Sequence, residues 1–200
     1  MHPLPSPRRK PDVSTEQGKI LLPIARAAIA RALNVPYTAD EAAPWLAEQG
    51  ACFVTLTQYG ELRGCIGSLQ AHRPLLHDVK SNAVSAALRD PRFAPLSAAE
   101  LDTTEVEISL LSPVQAMDFC NEADALAQLR PHVDGVLLEY RNYRSTYLPQ
   151  VWEHFEQPQQ FLNSLKLKAG LPQNFWAADV KLARYTVTKW READFQEGME

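Results

Sequence analysis

Seven residues near the middle of the chain constrain its fold most. Over residues 105–111 apolar and polar side chains alternate, with Val106, Ile108 and Leu110 on one side and Glu105, Glu107 and Ser109 on the other. A period of two describes a strand with one face buried and one face wet. That is the habit of antiparallel sheets, because parallel sheets are covered on both faces. Two hairpin signals agree. Residues 51–57 and 61–69 flank Tyr59-Gly60, and residues 135–140 and 145–151 flank Arg141-Asn142-Tyr143. Residues 180–190 read as a last strand. The reading is α+β, a mostly antiparallel sheet with flanking helices.

The helices announce themselves by spacing and by their ends. Ser14-x-x-Gln17 has the form of a capping box. It opens a stretch carrying Ile20, Leu21, Ile24, Ala28, Ile29 and Leu33 at intervals of three or four, with Pro23 placed to kink it. Pro74 starts a second helix to about Leu88, whose apolar stripe is Leu76, Val79, Ala83, Ala86 and Ala87. Asp90-Pro91-Arg92-Phe93 stops it, and Ser97-x-x-Glu100 caps a short turn. Residues 121–129 form a short helix, and 158–169 a longer one ending at Gly170 with Pro172 beyond. Trp45-Leu46 anchors the loop over 34–44. The organisation is a flexible Pro-rich arm over 1–13, one domain over 14–190 and a polar tail over 191–200.

Composition narrows the function. With 46% hydrophobic residues and a formal charge of -4, the 200-residue chain builds an ordinary core and lacks the basic footprint of a general nucleic-acid binder. The single basic run, Arg8-Arg9-Lys10, lies in the Pro-rich arm. An odd set of cysteines (Cys52, Cys65, Cys120) without C-x-x-C suits a reducing compartment. The absence of any long apolar run excludes a signal peptide and a membrane span. The protein reads as soluble and cytoplasmic. Neither phosphate-binding glycine motif occurs. His2, His72, His77, His132 and His154 show no metal-ligand spacing, so no metal and no cofactor are expected.

The chemistry concentrates in Leu62-Arg63-Gly64-Cys65-Ile66-Gly67. Strand alternation sends Arg63 and Cys65 to one face, where the cation favours the nucleophilic thiolate. With a two-residue loop at Tyr59-Gly60, Cys52 also shares that face; a three-residue loop reverses the relation. Gly64 and Gly67 leave room for a ligand and offer backbone N–H groups to an oxyanion. The opposing reading makes Cys65 a small buried hydrophobe. Arg63 either clamps an anionic substrate or pairs with Glu105 or Glu107 across the sheet. The shared face of Glu105 and Glu107 allows a raised carboxyl pKa, or leaves two solvated acids. Arg92 points into a cleft or merely ends a helix. Gln150 reads a substrate amide or satisfies a backbone group, and Asp134-Gly135 makes a turn.

Six segments, in order, resemble the AMMECR-type domain, also called AmmeMemoRadiSam system protein A. They are Gly50-Ala51-Cys52-Phe53-Val54-Thr55-Leu56, the Leu62 hexapeptide, Asn82-Ala83 through Asp90-Pro91-Arg92-Phe93, Glu105-Val106-Glu107-Ile108-Ser109, Leu148-Pro149-Gln150-Val151 and Lys168-Ala169-Gly170-Leu171-Pro172. The resemblance implies two unequal lobes, the larger built from both ends of the chain, with the hexapeptide near a cleft between them. It implies a functional link to a Memo-like protein and a radical-SAM protein, and a general association with RNA modification. It supplies no reaction. Two departures stand out: Pro23 interrupts a helix, and Lys166 stands where relatives often carry cysteine. The expectation is an enzyme or enzyme subunit acting on a small polar or anionic ligand. Catalysis falls to Cys65 and Arg63, and binding to Gly64, Gly67, Glu105, Glu107, Arg92 and Gln150. The rivals are a binding module without chemistry and a protein of RNA modification.

Overall fold

The computed structural model describes residues 13–195, with side chains from residue 15 onward. The arm before residue 13, the side chain of Ser14 and the end of the tail lie outside the described residues. Helix α1 (Val13–Ala32) runs without a break through Pro23. A turn at Pro44–Ala47 buries Leu46 and leads into β1 (Gln49–Gln58). Then come β2 (Glu61–Gly67), the two-residue β3 (Arg73–Pro74), helix α2 (Leu75–Leu88) and β4 (Thr104–Leu111). The turn at Ala98–Thr103 carries the capping box expected of Ser97 and Glu100. The second half holds β5 (Gln115–Ala116), α3 (Glu122–Gln128), β6 (Gly135–Tyr140), β7 (Tyr143–Tyr147), α4 (Pro158–Ala169), β8 (Lys181–Tyr185) and β9 (Val187–Arg191).

Among the described residues every strand pairing is antiparallel, in two sheets. The first has the order β2-β1-β4-β9, with β3 against the start of β1; the second has the order β5-β8-β6-β7. Each sheet carries its own helices and core, so the molecule has two lobes. In the larger, α1 and α2 cover one sheet face, and Leu21, Ile24, Ile29, Cys52, Val54, Leu56, Val79, Ala83, Val106 and Ile108 are buried together. In the smaller, Trp152 stacks on Phe161 at 3.7 Å among Val136, Leu138, Leu162, Leu165 and Leu182. A small third cluster of Ala51, Leu111 and Tyr185, joined by Phe53, Leu148 and Val187, fills the junction. Its presence explains why Leu111 is buried although the β4 alternation assigns it to the wet face.

The expected final strand is two strands in different sheets. β8 belongs to the smaller lobe and β9 to the larger, with Thr186 between. Thr186 exchanges hydrogen bonds with Ser112, where the chain crosses in the opposite direction. The second hairpin also turns tighter than expected. Its loop is Arg141-Asn142, and β7 ends at Tyr147 because Pro149 opens a helical turn, Pro149–His154. Glu192–Phe195 is likewise a turn bound to the larger lobe: Glu192 accepts from Arg26 and from the Val106 N–H.

The first hairpin has a two-residue loop, the first of the two alternatives, with positive φ at Tyr59 and Gly60, as the tight primed turns require. Its register is not the regular one. Thr57 pairs with Leu62 but Leu56 with Gly64, so Arg63 is an extra residue, a bulge. The bulge turns Gly64 toward α2, where a Cβ would lie 2.2 Å from the Ala86 carbonyl oxygen. It also aligns Cys65 with Thr55, on the face opposite Cys52, Val54 and Leu56. The expected shared face of Cys52 and Cys65 is therefore overturned, although the loop has two residues. Gly64→Ala forces helix and hairpin apart against rigid backbone. It should cost about 1–3 kcal/mol in urea unfolding, and a value near zero would show that the two can separate freely.

Candidate functional site

A cleft of about 940 Å³ separates the lobes on the face of the first sheet that α1 and α2 leave uncovered. Its walls are Thr55, Cys65, Glu107, Ser109 and Lys189 from the strands, Asp90 and Arg92 from the end of α2, and His132, Gln150 and Glu153 from the smaller lobe. The lining thus contains Cys65, Arg92, Glu107 and Gln150 of the residues singled out from the sequence. It does not contain Arg63, Gly64, Glu105 or Gly67.

Arg63 departs because of the bulge. Its Nε and Nη2 donate to Glu100 Oε1, both at 3.2 Å, while its Nη1 is buried and makes no hydrogen bond among the described residues. Of the two roles considered for Arg63, the ion pair is the one observed, but with Glu100 in place of Glu105 or Glu107. Hydrogen bonds from Ser97, and then from Arg63, hold the Glu100 carboxyl below the usual carboxylate range. The glycines allow close packing, and Gly67 also lines a cavity separate from this cleft. Gly64 lies under α2, and the Phe53 ring covers Gly67, where a Cβ would come within 2.2 Å of it.

Cys65 is half-buried, and Thr55 Oγ1 donates to its Sγ at 3.4 Å. Its backbone is held by Asp90, whose Oδ2 accepts the Cys65 N–H at 2.9 Å. The same carboxylate holds Arg92: Nε to Oδ1 at 3.0 Å, Nη2 to Oδ2 at 2.7 Å, and the Arg92 N–H to Oδ1 at 3.1 Å. Arg92 Nη2 also reaches the Cys65 carbonyl at 3.4 Å. Asp90 is buried and fully bonded, and the guanidinium half stays in solvent. The side-chain bonds from Arg92, followed by the backbone bonds from Cys65 and Arg92, hold the Asp90 carboxyl well below the usual range, against the opposing effect of burial. The cation beside the cysteine is therefore Arg92 rather than Arg63.

The two glutamates of β4 do not act as a pair. Glu105 accepts from the Ala193 N–H, and Glu107 lies between Arg191, at 2.9 Å, and Lys189, at 3.5 Å. Gln150 is exposed at the rim, with no side-chain hydrogen bond among the described residues. Asp134 is buried and ion-paired with Arg130, a structural role.

Buried polar residues that the sequence reading passed over support the site from behind. Asp78 of α2 accepts from the Cys52 N–H, Ser68 Oγ, Arg73 Nε and Asn82 Nδ2, and Asn82 also donates to the Cys52 carbonyl. Their i, i+4 spacing on α2 was the available signal. Burial beside Asp78 pushes the Cys52 thiol upward, out of the reactive range. Among the described residues no three of His, Cys, Asp and Glu gather in a metal-binding arrangement.

Comparison with known proteins gives the family and the fold. The AMMECR1 family model matches residues 22–190. Protein MJ0810 of Methanocaldococcus jannaschii is 35% identical over 187 residues, covering 91% of this chain and 93% of that protein. A protein of Methanococcus aeolicus is 38% identical over 168 residues, covering 82% and 84%. The crystal structure of the uncharacterized protein PH0010 from Pyrococcus horikoshii superposes with a TM-score of 0.72 at 31% identity, covering 88% of this chain and 92% of that one.

Asp90→Ala leaves the Cys65 N–H and Arg92 without their acceptor, which costs about 1–3 kcal/mol at neutral pH. Because the folded carboxyl titrates below its unfolded value of about 3.9, its contribution is full above that value and is lost as pH falls through the folded one. The stability gap between the parent and Asp90→Asn should therefore narrow below about pH 4. Urea unfolding at a series of pH values checks this; a gap independent of pH would contradict it.

Proposed function

The chain belongs to the AMMECR1 family, and from that premise we propose that it binds a small polar or anionic molecule in the inter-lobe cleft and acts on it through Cys65, as an enzyme or enzyme subunit. One observation carries the reading. The carboxylate of Asp90 fixes the Cys65 backbone and the Arg92 guanidinium at once, so a thiol and a cation face the same opening. Holding both groups on one buried, saturated anchor is preorganisation of the kind a site needs. Arg92 takes the anion-binding role first considered for Arg63, through the Nη1 that its bonds to Asp90 and the Cys65 carbonyl leave over. Thr55 orients the sulfur. Gln150 and Lys189 lie on the facing walls, where they contact the polar body of the ligand. In this reading a Memo-like protein and a radical-SAM protein are the partners, supplying or consuming that molecule.

A second reading rests on a separate observation. Among the described residues no histidine or carboxylate side chain is hydrogen-bonded to Cys65 Sγ, although His132 lines the same cleft. Nucleophilic cysteines generally work beside a base. A module that only holds a partner's segment or product needs none. An association with RNA modification finds no support in the acidic composition.

Iodoacetamide labelling of the native protein, read peptide by peptide across a pH series, separates these readings. Cys52 is buried and should stay protected, while Cys120 is exposed and sets the rate of an ordinary accessible thiol. In an active site Cys65 outpaces Cys120 and slows severalfold in Arg92→Ala. Labelling of Cys65 slower than that of Cys120, and unmoved by Arg92→Ala, leaves the binding module.

A further inference from the structure

A second cavity of about 600 Å³ lies at the other end of the lobe junction. The junction cluster separates it from the Cys65 cleft: Phe53, Leu148 and Val187 face the cleft, and Tyr185 of the same cluster faces the cavity. Its wall from the larger lobe is the segment leaving β2, with Ser68, Leu69, Gln70 and His72. Its opposite wall is β6, β7 and the end of α4, with Leu137, Arg144, Thr146 and Lys168.

The lining carries two permanent cations and no carboxylate. That is notable in a chain whose formal charge is -4. Lys168 is held by neutral groups: its Nζ donates to the Thr146 carbonyl at 2.9 Å and lies 4.6 Å from the centre of the Tyr147 ring. No ion pair involves Lys168 among the described residues. Arg144 pairs through Nε with Glu139, its cross-strand neighbour, which is not part of the lining, and its Nη1 and Nη2 donate to the side-chain oxygen of Gln70 on the opposite wall. Tyr185 is buried in the wall and bonded to Thr146 and to the Tyr147 carbonyl, so that side of the cavity is rigid. A concave surface with fixed cations and little counter-charge concentrates anions. Its size falls in the range of about 300–1,000 Å³ typical of small-molecule pockets. Leu69, Val114 and Leu137 add apolar surface for the body of a ligand.

We infer that this cavity is a second ligand site, independent of Cys65, that binds a small organic anion: a phosphate or carboxylate carried on an apolar body. Arg144 and Lys168 bind the charged group, Arg144 by exchanging its Gln70 contact for the anion and Lys168 as a point charge. The apolar residues hold the remainder.

Phenyl phosphate is the probe, followed by calorimetry and by amide chemical shifts at low salt. The expected result is saturable binding of one molecule per chain, tighter than inorganic phosphate, with shifts at Ser68, Leu69 and Thr146. Arg144→Gln with Lys168→Met should weaken it at least tenfold, while Lys80→Met, on a distant surface, leaves it unchanged. If the double variant does not fold, Lys168→Met alone should weaken binding severalfold. Three outcomes overturn the inference: no saturable binding, binding undiminished in these variants, or shifts confined to Cys65 and Arg92. Equal affinity for inorganic and phenyl phosphate overturns the apolar part.

Discussion

One extra residue in β2 governs the arrangement of the hairpin and of everything packed on it. Without the bulge at Arg63, residues 61–67 would continue the alternation set by Tyr59-Gly60, and Cys65 would lie beside Cys52 in the core. With it, Gly64 meets α2 at a distance only glycine permits, and Cys65 turns outward to the cleft. Arg63 is released toward Glu100, itself held by the capping box at Ser97. The salt bridge and the short turn thus hold the bulge in place from outside the strand.

Helix α2 secures the hairpin at two points. Asp78, in its first turn, accepts the Cys52 N–H, and Asp90, just past its end, accepts the Cys65 N–H. Each carboxylate is buried and each binds an arginine, Arg73 and Arg92 respectively. Buried carboxylates are tolerated when their lone pairs are filled in this way. The two cysteines so addressed have opposite environments, one sealed in the core and the other at the cleft wall. Similar local bonding therefore supports a structural thiol in one strand and an accessible thiol in the next.

Features of the sequence that act locally were legible. The alternation around Ile108, the turn at Tyr59-Gly60, the capping box at Ser97 and the left-handed Gly170 all stand where their chemistry requires. Features decided by distant contacts were not. Alternation carries no mark of a bulge, because the bulge depends on what Gly64 and Arg63 meet after folding. Residues 180–190 keep a strand-like pattern through Thr186, and only pairing with two different sheets divides them. Asp90 reads as a helix stop, which it is, but its grip on Cys65 is a contact across 25 positions. For the same reason the strand pattern, which leaves Arg63 either an anion clamp or an ion pair, carries no sign of Arg92 beside Cys65.

The smaller lobe is inserted between β4 and β9, which are neighbours in the first sheet. Until the chain from β5 through β8 has been made, β4 has an open hydrogen-bonding edge and β9 does not exist to cover it. Closing so long a loop carries an entropic cost before its pairing contributes, and topologies of this kind fold slowly. During synthesis the exposed edge of β4, with Ile108 and Leu110 on it, is a template for pairing with other chains. The architecture that brings the two lobes together around a cleft thus makes the larger lobe the last to be completed and the one most in need of protection while it waits.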